Sequence, residues 1–210
     1  MEMIAASPEI RDAYASQIPE LVWATGPVSY DYHFADRALF DAIVLGSWKH
    51  DGSLFAADAT TLALEGQELM GIEIGMPGPE YRTRQNALGP VWQALVEQGQ
   101  IDPAAIPGVL ERSERASWLN PVIHDDTYYV HALSVKPEFR GKRVGYYLLQ
   151  QAIDKARAQG FAKLQLDVLS DNPAVEFYRA MGLQLLAETR APDPAAFGVP
   201  PEHRMGMTLS

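Results

Sequence analysis

Residues Ser134–Leu149 read SVKPEFRGKRVGYYLL, a stretch in which a cationic turn directly precedes an apolar helical pattern. The β-forming run at 128–135 predicts a strand before the turn, and apolar residues at helical spacing up to Gly160 predict a helix after it. The first N–H groups of a helix have no intrahelical partner, and the helix dipole adds about half a positive charge there. Four cations lie in the turn: Lys136, Arg140, Lys142 and Arg143. The stretch therefore predicts a phosphate-binding turn.

The positive charge of this turn has two simpler explanations, a solvated basic turn and a nuclear-localisation-like run of the KRxxR type. The glycine spacing from Gly141 to Gly145 matches neither a P-loop nor a Rossmann turn. Both glycines would let the backbone approach an anion closely, and Lys142 and Arg143 could reach peripheral phosphates. What favours a binding site is the position of the cations between a strand and a helix.

The composition describes an acidic chain of 210 residues, in which 47% of residues are hydrophobic. This length predicts a single domain over residues 1–210. Seventeen Lys+Arg against 27 Asp+Glu give a net charge of −10, which disfavours nucleic acid and anionic membranes as partners and favours cationic ligands. There is no cysteine, the start lacks the order of a signal peptide, and no apolar run could span a bilayer. We therefore expect a cytoplasmic protein.

The order of predicted elements is mixed α/β. In the first half the pattern predicts helices at 9–24 and 36–48, a hairpin of strands at 60–64 and 69–75, and a helical insertion at about 80–125 with one helix over 82–98. In the second half it predicts a strand at 164–168, a helix from Pro173 to Gly182 capped by Asn172, and strands at 183–189 and 203–209. From residue 127 onward the order is β-α-β-α-β.

Two blocks of the sequence resemble the GNAT superfamily of N-acetyltransferases. Arg140-Gly141-Lys142-Arg143-Val144-Gly145 is similar to the family's acyl-CoA turn, Q/R-x-x-G-x-G/A, and departs from it at Arg143, where the first glycine is usual. Residues 171–183, DNPAVEFYRAMGL, resemble the family's A-(I/V)-x-x-Y-x-x-x-G-F helix. The family's frequent asparagine falls on Asp171, so Asn172 is either a helix cap or a CoA contact. The resemblance covers roughly residues 127–190.

The resemblance implies a GNAT-like fold, with a mixed, mostly antiparallel central sheet flanked by helices. It also implies acetyl-CoA as co-substrate and transfer of the acetyl group to a primary amine, which we expect to belong to a small molecule. A peptide or protein amine and a non-catalytic acyl-CoA-binding protein are the alternatives, and a homodimer is left open. The CoA contacts that it implies are Leu133, Ser134, Val135, Arg140, Gly141, Lys142, Arg143, Val144, Gly145, Tyr146, Asn172, Ala174 and Tyr178.

Tyr178 is the candidate proton donor to the departing thiolate. Family members commonly place a tyrosine at this point of the helix, and a phenol with an ordinary pKa near 10 is protonated at neutral pH. The alternative is a tyrosine that packs beside Phe177 and Met181.

His131 is the candidate base, because an alkyl ammonium is only about 0.1% neutral at pH 7 and must lose a proton. The strand sequence H-A-L-x-V is similar to the arylalkylamine acetyltransferase branch, which has a second histidine where Tyr129 stands here. Alternation predicts that Tyr129, His131, Leu133 and Val135 share one face of the strand. The alternative is a structural histidine.

The acceptor end is predicted from less specific signals. Tyr129, Glu73 and Asp125 are the candidate substrate contacts, and solvated strand ends are the alternative for the two acids. Trp92 and Trp118 would either cover the acceptor pocket or extend the core. We expect no metal, because the five histidines show no ligand spacing.

Overall fold

A computed structural model describes residues 1–119 and 122–209, with the side chain of Trp118 excepted. The predicted role of Trp118 at the acceptor pocket therefore lies outside the described side chains. No helix in the described part of the chain is both long and apolar enough to cross a membrane.

The described strands form one sheet in the order β1-β2-β3-β4-β5-β7-β6. Neighbouring strands are antiparallel except for the parallel pair β4 and β5. The mixed, mostly antiparallel sheet is thus confirmed. The strands are β1 Glu2–Ala5, β2 Thr60–Glu65, β3 Glu68–Pro77, β4 Thr127–Val135, β5 Lys163–Leu169, β6 Gln184–Thr189 and β7 Glu202–Thr208.

The helices lie before the hairpin, between β3 and β4, and between the later strands. The stretch around 80–125 is mainly helical, as predicted, over its described residues up to 119. The helices are α1 Pro8–Tyr14, α2 Ile18–Trp23, α3 Pro27–Phe34, α4 Arg37–Trp48, α5 Gly78–Asn86, α6 Leu88–Glu97, α7 Ile106–Arg115, α8 Val144–Ala158, α9 Ala174–Ala180 and α10 Pro192–Phe197.

Two helices that were each predicted as continuous are divided in two in the structure. The helix expected over 82–98 divides into α5 and α6, because the ring of Pro90 would collide with the carbonyl of Asn86, where α5 ends. The helix expected over 9–24 divides into α1 and α2 near Pro19 for the same reason. The sequence patterns did not predict β1, α3 or α10. Each of them is short and owes its conformation to the elements that pack on it.

The sheet carries a different core on each face. Helices α8 and α9 cover one face, where Tyr128, Val130 and Leu149 are buried in one cluster with Tyr178. Helices α1, α2 and α4 cover the opposite face, with Ile72, Ile74 and Ala132 in its core. Helices α4, α6 and α7 enclose a further apolar cluster that includes Trp92.

A β-bulge in β4 changes which side chains share a face. Val130 pairs with Gly75 and Ala132 pairs with Ile74. His131, which lies between them, is therefore the extra residue of the bulge and has no partner residue on β3. The prediction that Tyr129, His131, Leu133 and Val135 share one face is therefore wrong. The rings of Tyr129 and His131 lie near Tyr81 of α5. Leu133 and Val135 instead contact the α8 side near Gly145.

Candidate active site

The site begins where two parallel strands separate. Residues 127–130 of β4 pair with residues 163–166 of β5. Beyond Leu166, β5 pairs with β7 alone. The edge of β4 from His131 to Val135 therefore faces a gap. A cavity of about 1270 Å³ occupies this gap and is lined by residues of both strands. Residues of α8 and α9 line one part of it, and residues of α3, α5 and α6 line another.

The start of α8 provides backbone donors at one end of this cavity. Within the described residues, the N–H groups of Val144, Gly145 and Tyr146 have no hydrogen-bond acceptor, and no side chain caps the helix. Arg143, directly before the helix, has a left-handed backbone with φ 64, and Gly141 has φ 78. The turn thus has the shape and free donors that suit a pyrophosphate.

The cations of the turn do not all point toward the cavity. Arg140 and Arg143 line it, and Nε of Arg140 also donates to the carbonyl of Val135 at 3.3 Å. Lys142 is not among its lining residues, and its Nζ lies 4.8 Å from the ring centre of Phe139. The structure therefore brings the two arginines to the predicted CoA site and leaves Lys142 at its rim.

Gly145 lies at the narrow point between the turn and the strand gap. A β-carbon added there would stand 3.7 Å from both Phe177 and Val135, and 3.8 Å from Leu133. The space beside Gly145 is thus bounded by three apolar side chains and suits the pantetheine arm of CoA. The open edge of β4 runs beside the same space, and Leu133, Ser134 and Val135 of that edge line the cavity.

Asn172 and Ala174 lie on the opposite wall, at the start of α9. Oδ1 of Asn172 accepts a hydrogen bond from the N–H of Ala174 at 2.9 Å, which confirms the cap. Asn172 also lines the cavity, so both explanations of this residue agree with its position.

Tyr178 lies on α9 with 6% of its surface exposed, and it lines the cavity. Burial raises the pKa of its hydroxyl above the ordinary value. No hydrogen bond of this hydroxyl is found in the part of the chain that the structure describes. It is therefore a protonated donor without an internal acceptor.

His131 lies on the other side of the gap, in an aromatic setting. Its ring centroid is 5.3 Å from that of Phe55 and 5.9 Å from that of Tyr81. Burial lowers the pKa of His131 to about 4, and no charged group contributes to that shift. Its Nε2 is buried and has no hydrogen-bond partner among the described residues. The imidazole is therefore neutral at pH 7.

Tyr129 belongs to a buried polar cluster rather than to a second base position. Its hydroxyl donates to Oδ2 of Asp167 at 2.9 Å. The same carboxylate binds Arg204 of β7 through Nε at 2.5 Å and Nη2 at 2.7 Å. The side chains of Asp167 and Arg204 are only 5% and 6% exposed, so this pair is an internal one. Tyr129 and Asp167 both line the cavity.

Known proteins resemble the part of the chain that contains β4 and the start of α8. A model of the Acetyltransferase (GNAT) family matches residues 106–183, which include β4, the turn, α8, β5 and α9. This stretch of the chain is therefore similar to the GNAT family. The chain is also similar to an uncharacterized N-acetyltransferase of Methanocaldococcus jannaschii, which is 30% identical over 69 residues, or 32% of this chain and 30% of that protein. The thialysine N-epsilon-acetyltransferase of Bos taurus is 36% identical over 61 residues, or 29% of this chain and 36% of that protein.

The likeness of the whole chain to GNAT structures concerns the fold. A solved N-acetyltransferase from Staphylococcus aureus Mu50 aligns with a TM-score of 0.71 at 16% identity, covering 99% of this chain and 100% of that one. The chain spans about a third of the length of the curated relatives that it matches. GNAT enzymes use acetyl-CoA as co-substrate.

Two predicted acceptor contacts lie away from this cavity. Asp125 is exposed and lines a separate shallow depression with Lys163. Glu73 is completely buried beneath α8, and both of its carboxyl oxygens lack a hydrogen-bond partner among the described residues. The alternative of a solvated strand end is therefore wrong for Glu73. Burial raises the pKa of Glu73 to about 7, against the opposing charge of Lys155.

Trp92, expected either at the acceptor pocket or in the core, lines the cavity and belongs to the apolar cluster of α4, α6 and α7. Its buried Nε1 has no hydrogen-bond partner among the described residues.

Several other residues of the cavity were not predicted. Phe55 and Tyr81 border His131. Asp167 and Glu202 bring carboxyl groups to the same wall. The alternation of side chains along β5 was a usable signal for Asp167, since it marked one face of a half-buried strand. The other three occupy ordinary patterns and come together only in the fold.

Proposed function

We propose that this protein is an acetyl-CoA-dependent N-acetyltransferase that acts on a primary amine of a small molecule. One observation carries the proposal: a single cavity joins the uncapped start of α8 with Tyr178 on one side of the strand gap and His131 on the other. A phosphate-binding end, a proton donor and a neutral base thus open into one space. The first group would hold CoA, and the other two would accelerate acetyl transfer from a thioester to an amine.

The start of α8 would hold the pyrophosphate of CoA. The free N–H groups of Val144, Gly145 and Tyr146 would donate to it, and Arg140 and Arg143 would contribute charge. The open edge of β4 would pair with the pantetheine arm, and Gly145 would leave room for that arm. Acetyl-CoA supplies the acetyl group and a thiolate leaving group.

Tyr178 and His131 would divide the proton transfers between them. As the amine nitrogen bonds to the acetyl carbon, the carbon–sulfur bond breaks and the Tyr178 hydroxyl gives its proton to sulfur. The proton lost by the nitrogen goes to the imidazole of His131. Solvent later restores the proton of Tyr178 and removes that of His131. The low pKa of His131 keeps its nitrogen unprotonated over the physiological range, and the same burial makes it a weaker base than a free imidazole.

The enclosure of the acceptor end favours a small molecule over a peptide. Residues of α3, α5, α6 and α7 form its walls, and apolar side chains such as Phe34, Leu88 and Val109 line it. A peptide substrate would need an open groove. The whole cavity, at about 1270 Å³, is larger than the roughly 300–1,000 Å³ of a typical ligand pocket. It therefore has room for the pantetheine arm together with an acceptor.

A panel of primary amines with acetyl-CoA, followed by release of free thiol, tests the proposal. We expect release above the hydrolysis background with at least one small amine. Release with none of them, or only with a peptide or protein substrate, would contradict the proposal. The variant Tyr178→Phe separates an enzyme from a non-catalytic CoA-binding protein, since turnover should fall while the CoA-induced rise in melting temperature persists.

The cofactor half is tested separately by charge reversal in the turn. Arg143→Glu should weaken CoA binding, and Lys142→Glu should weaken it less, because only Arg143 lines the cavity. Isothermal titration with CoA measures both. If neither variant changes the affinity for CoA, the turn is a solvated basic surface and not a CoA site.

A further inference from the structure

Glu202 is the cavity carboxyl that the proposed mechanism does not use. It is the first residue of β7, where it pairs with Leu169 of β5 and Thr189 of β6. It lines the same cavity as His131. In the sheet order β4-β5-β7 it lies two strands from His131. At about 4.8 Å per strand this places it roughly 10 Å away across the sheet, and farther where β4 and β5 diverge.

The carboxyl of Glu202 lacks an internal partner of its own. Its Oε2 is buried and has no hydrogen-bond partner among the described residues. Arg204, on the same face of β7, binds Asp167 through two hydrogen bonds and also donates to Gln165 at 3.3 Å. The wall thus carries two carboxyl groups for one guanidinium. Burial and the neighbouring charge of Asp167 raise the pKa of Glu202 to about 8, against the opposing charge of Arg204. A further cation beside this carboxyl would therefore favour its ionised form.

The surroundings of Glu202 are aromatic. Tyr30, Tyr81 and Tyr129 line the cavity, and the negative charge of Glu202 contributes to the raised pKa of each one. Its charge therefore acts on all three rings. The rings of Tyr81 and Tyr129 meet edge to face at 5.2 Å. A carboxylate beside aromatic rings is a favourable setting for an organic cation. Glu202 does not contribute to the shift at His131, which agrees with their separation.

We propose that Glu202 binds a positively charged group of the acceptor at a point separate from the amine that is acetylated. The acceptor is then a primary amine with a second cationic group, such as a diamine. This inference rests on the proposed function and specifies its substrate class. The second charge orients the acceptor, so that its reacting nitrogen faces His131 and the strand gap. Glu202 is therefore a specificity-determining residue.

Matched pairs of linear probes test this inference. The probes are α,ω-diaminoalkanes from 1,3-diaminopropane to 1,8-diaminooctane, each paired with the n-alkylamine of the same length. Isothermal titration with saturating CoA measures their binding to the full chain. We expect a diamine of suitable length to bind about ten-fold more tightly than its monoamine. Equal binding of diamine and monoamine at every length would overturn the inference without the use of any variant.

Three variants test whether Glu202 causes the preference for diamines over monoamines. Glu202→Gln should abolish this preference and leave CoA affinity unchanged. A preference that persists in this variant would overturn the role of Glu202. Glu202→Asp keeps the charge on a shorter side chain, so it should retain a preference that shifts to longer diamines; loss of the preference in this folded variant would also count against Glu202. Glu188→Gln is the matched control, because Glu188 binds His203 at 2.9 Å and does not line the cavity.

Thiol release with the same probes separates the two proposals. A Glu202-dependent diamine preference in binding without thiol release would contradict the acetyltransferase proposal and support the cation site. Thiol release from monoamines and diamines with equal kcat/KM would support the acetyltransferase and overturn the cation site.

Discussion

The ring of His131 lies 5.3 Å from the ring of Phe55, in a part of the cavity where no charged group contributes to the histidine's pKa. This contact is a product of the bulge in β4, since regular alternation would have turned His131 toward the face that Leu133 and Val135 share. The apolar neighbour removes water from the imidazole and disfavours its protonated form.

The first prediction concerns the pH dependence of His131. Its lowered pKa means that the imidazole loses its function as base only when pH falls toward 4. In wild type, the acid limb of kcat/KM due to this group should therefore lie near pH 4 rather than 6.5. His131→Gln should remove that limb and lower kcat/KM about 100-fold at pH 7, with a smaller loss at high pH, where the amine is neutral on its own. Equal rates of variant and wild type at pH 7 would exclude His131 as the base.

The second prediction concerns the backbone of Arg143. Its φ of 64 lies in the left-handed region, which costs a non-glycine residue about 1 kcal/mol. Arg143→Gly should therefore unfold at higher denaturant concentration than Arg143→Ala, by about 1 kcal/mol in free energy of unfolding. Both variants lack the guanidinium, so the difference between them measures the contribution of the backbone conformation to the free energy of unfolding. An alanine variant as stable as the glycine variant would contradict the left-handed turn.

The third prediction concerns Glu73. Its pKa is about 7 in the folded state and about 4.5 when exposed, so the folded protein binds a proton more tightly than the unfolded chain between these values. The stabilising contribution of the neutral carboxyl is present below pH 4.5 and is lost as pH rises through 7. Glu73→Gln should therefore gain about 3 kcal/mol relative to wild type between pH 4.5 and pH 8.

Denaturant unfolding of both proteins across this range measures the difference. Tyr128→Phe is a useful control, since it removes the buried hydroxyl next to Glu73 without removing the carboxyl and should keep the wild-type pH dependence. Parallel curves for wild type and Glu73→Gln would show that Glu73 is not buried as a titrating group.

The fourth prediction concerns the ion pair of Asp167 and Arg204. Both side chains are almost completely buried, so Asp167→Asn removes the carboxylate from a desolvated guanidinium. We expect a loss of about 3 kcal/mol in the free energy of unfolding at pH 7. Asp125→Asn is the matched control, because Asp125 is exposed, and its stability should change by less than about 0.5 kcal/mol. A loss at Asp167 no larger than the loss at Asp125 would contradict an internal pair.

The half of the site that we propose for CoA was predictable because its signals are local. The cationic turn, the glycines and the helix start lie within Ser134–Leu149, and Asn172, Ala174 and Tyr178 lie in one short block. In each case the neighbouring residues alone determine a turn, a cap or a helix face. The main strands and the order of the second half were predictable for the same reason, since periodicity acts over a few residues.

The acceptor half was not predictable because its residues meet only through the sheet. Glu202 reaches the wall of Tyr81 and Tyr129 because β7 pairs with β5 and not with β4. His131 turns toward Phe55 because of the β-bulge, in which β4 has one extra residue relative to β3. The residue pattern of β4 alone does not predict this bulge.

The sequence by itself determined that a strand, a cationic turn and a helix start with free N–H donors would follow one another, because free N–H groups and the helix dipole follow from local backbone geometry. Only the tertiary structure decided the burial of Glu73, the solvation of Asp125 and the opening between β4 and β5. The physical reason is that desolvation and strand pairing depend on residues distant in the chain, whereas hydrogen bonding within a turn does not.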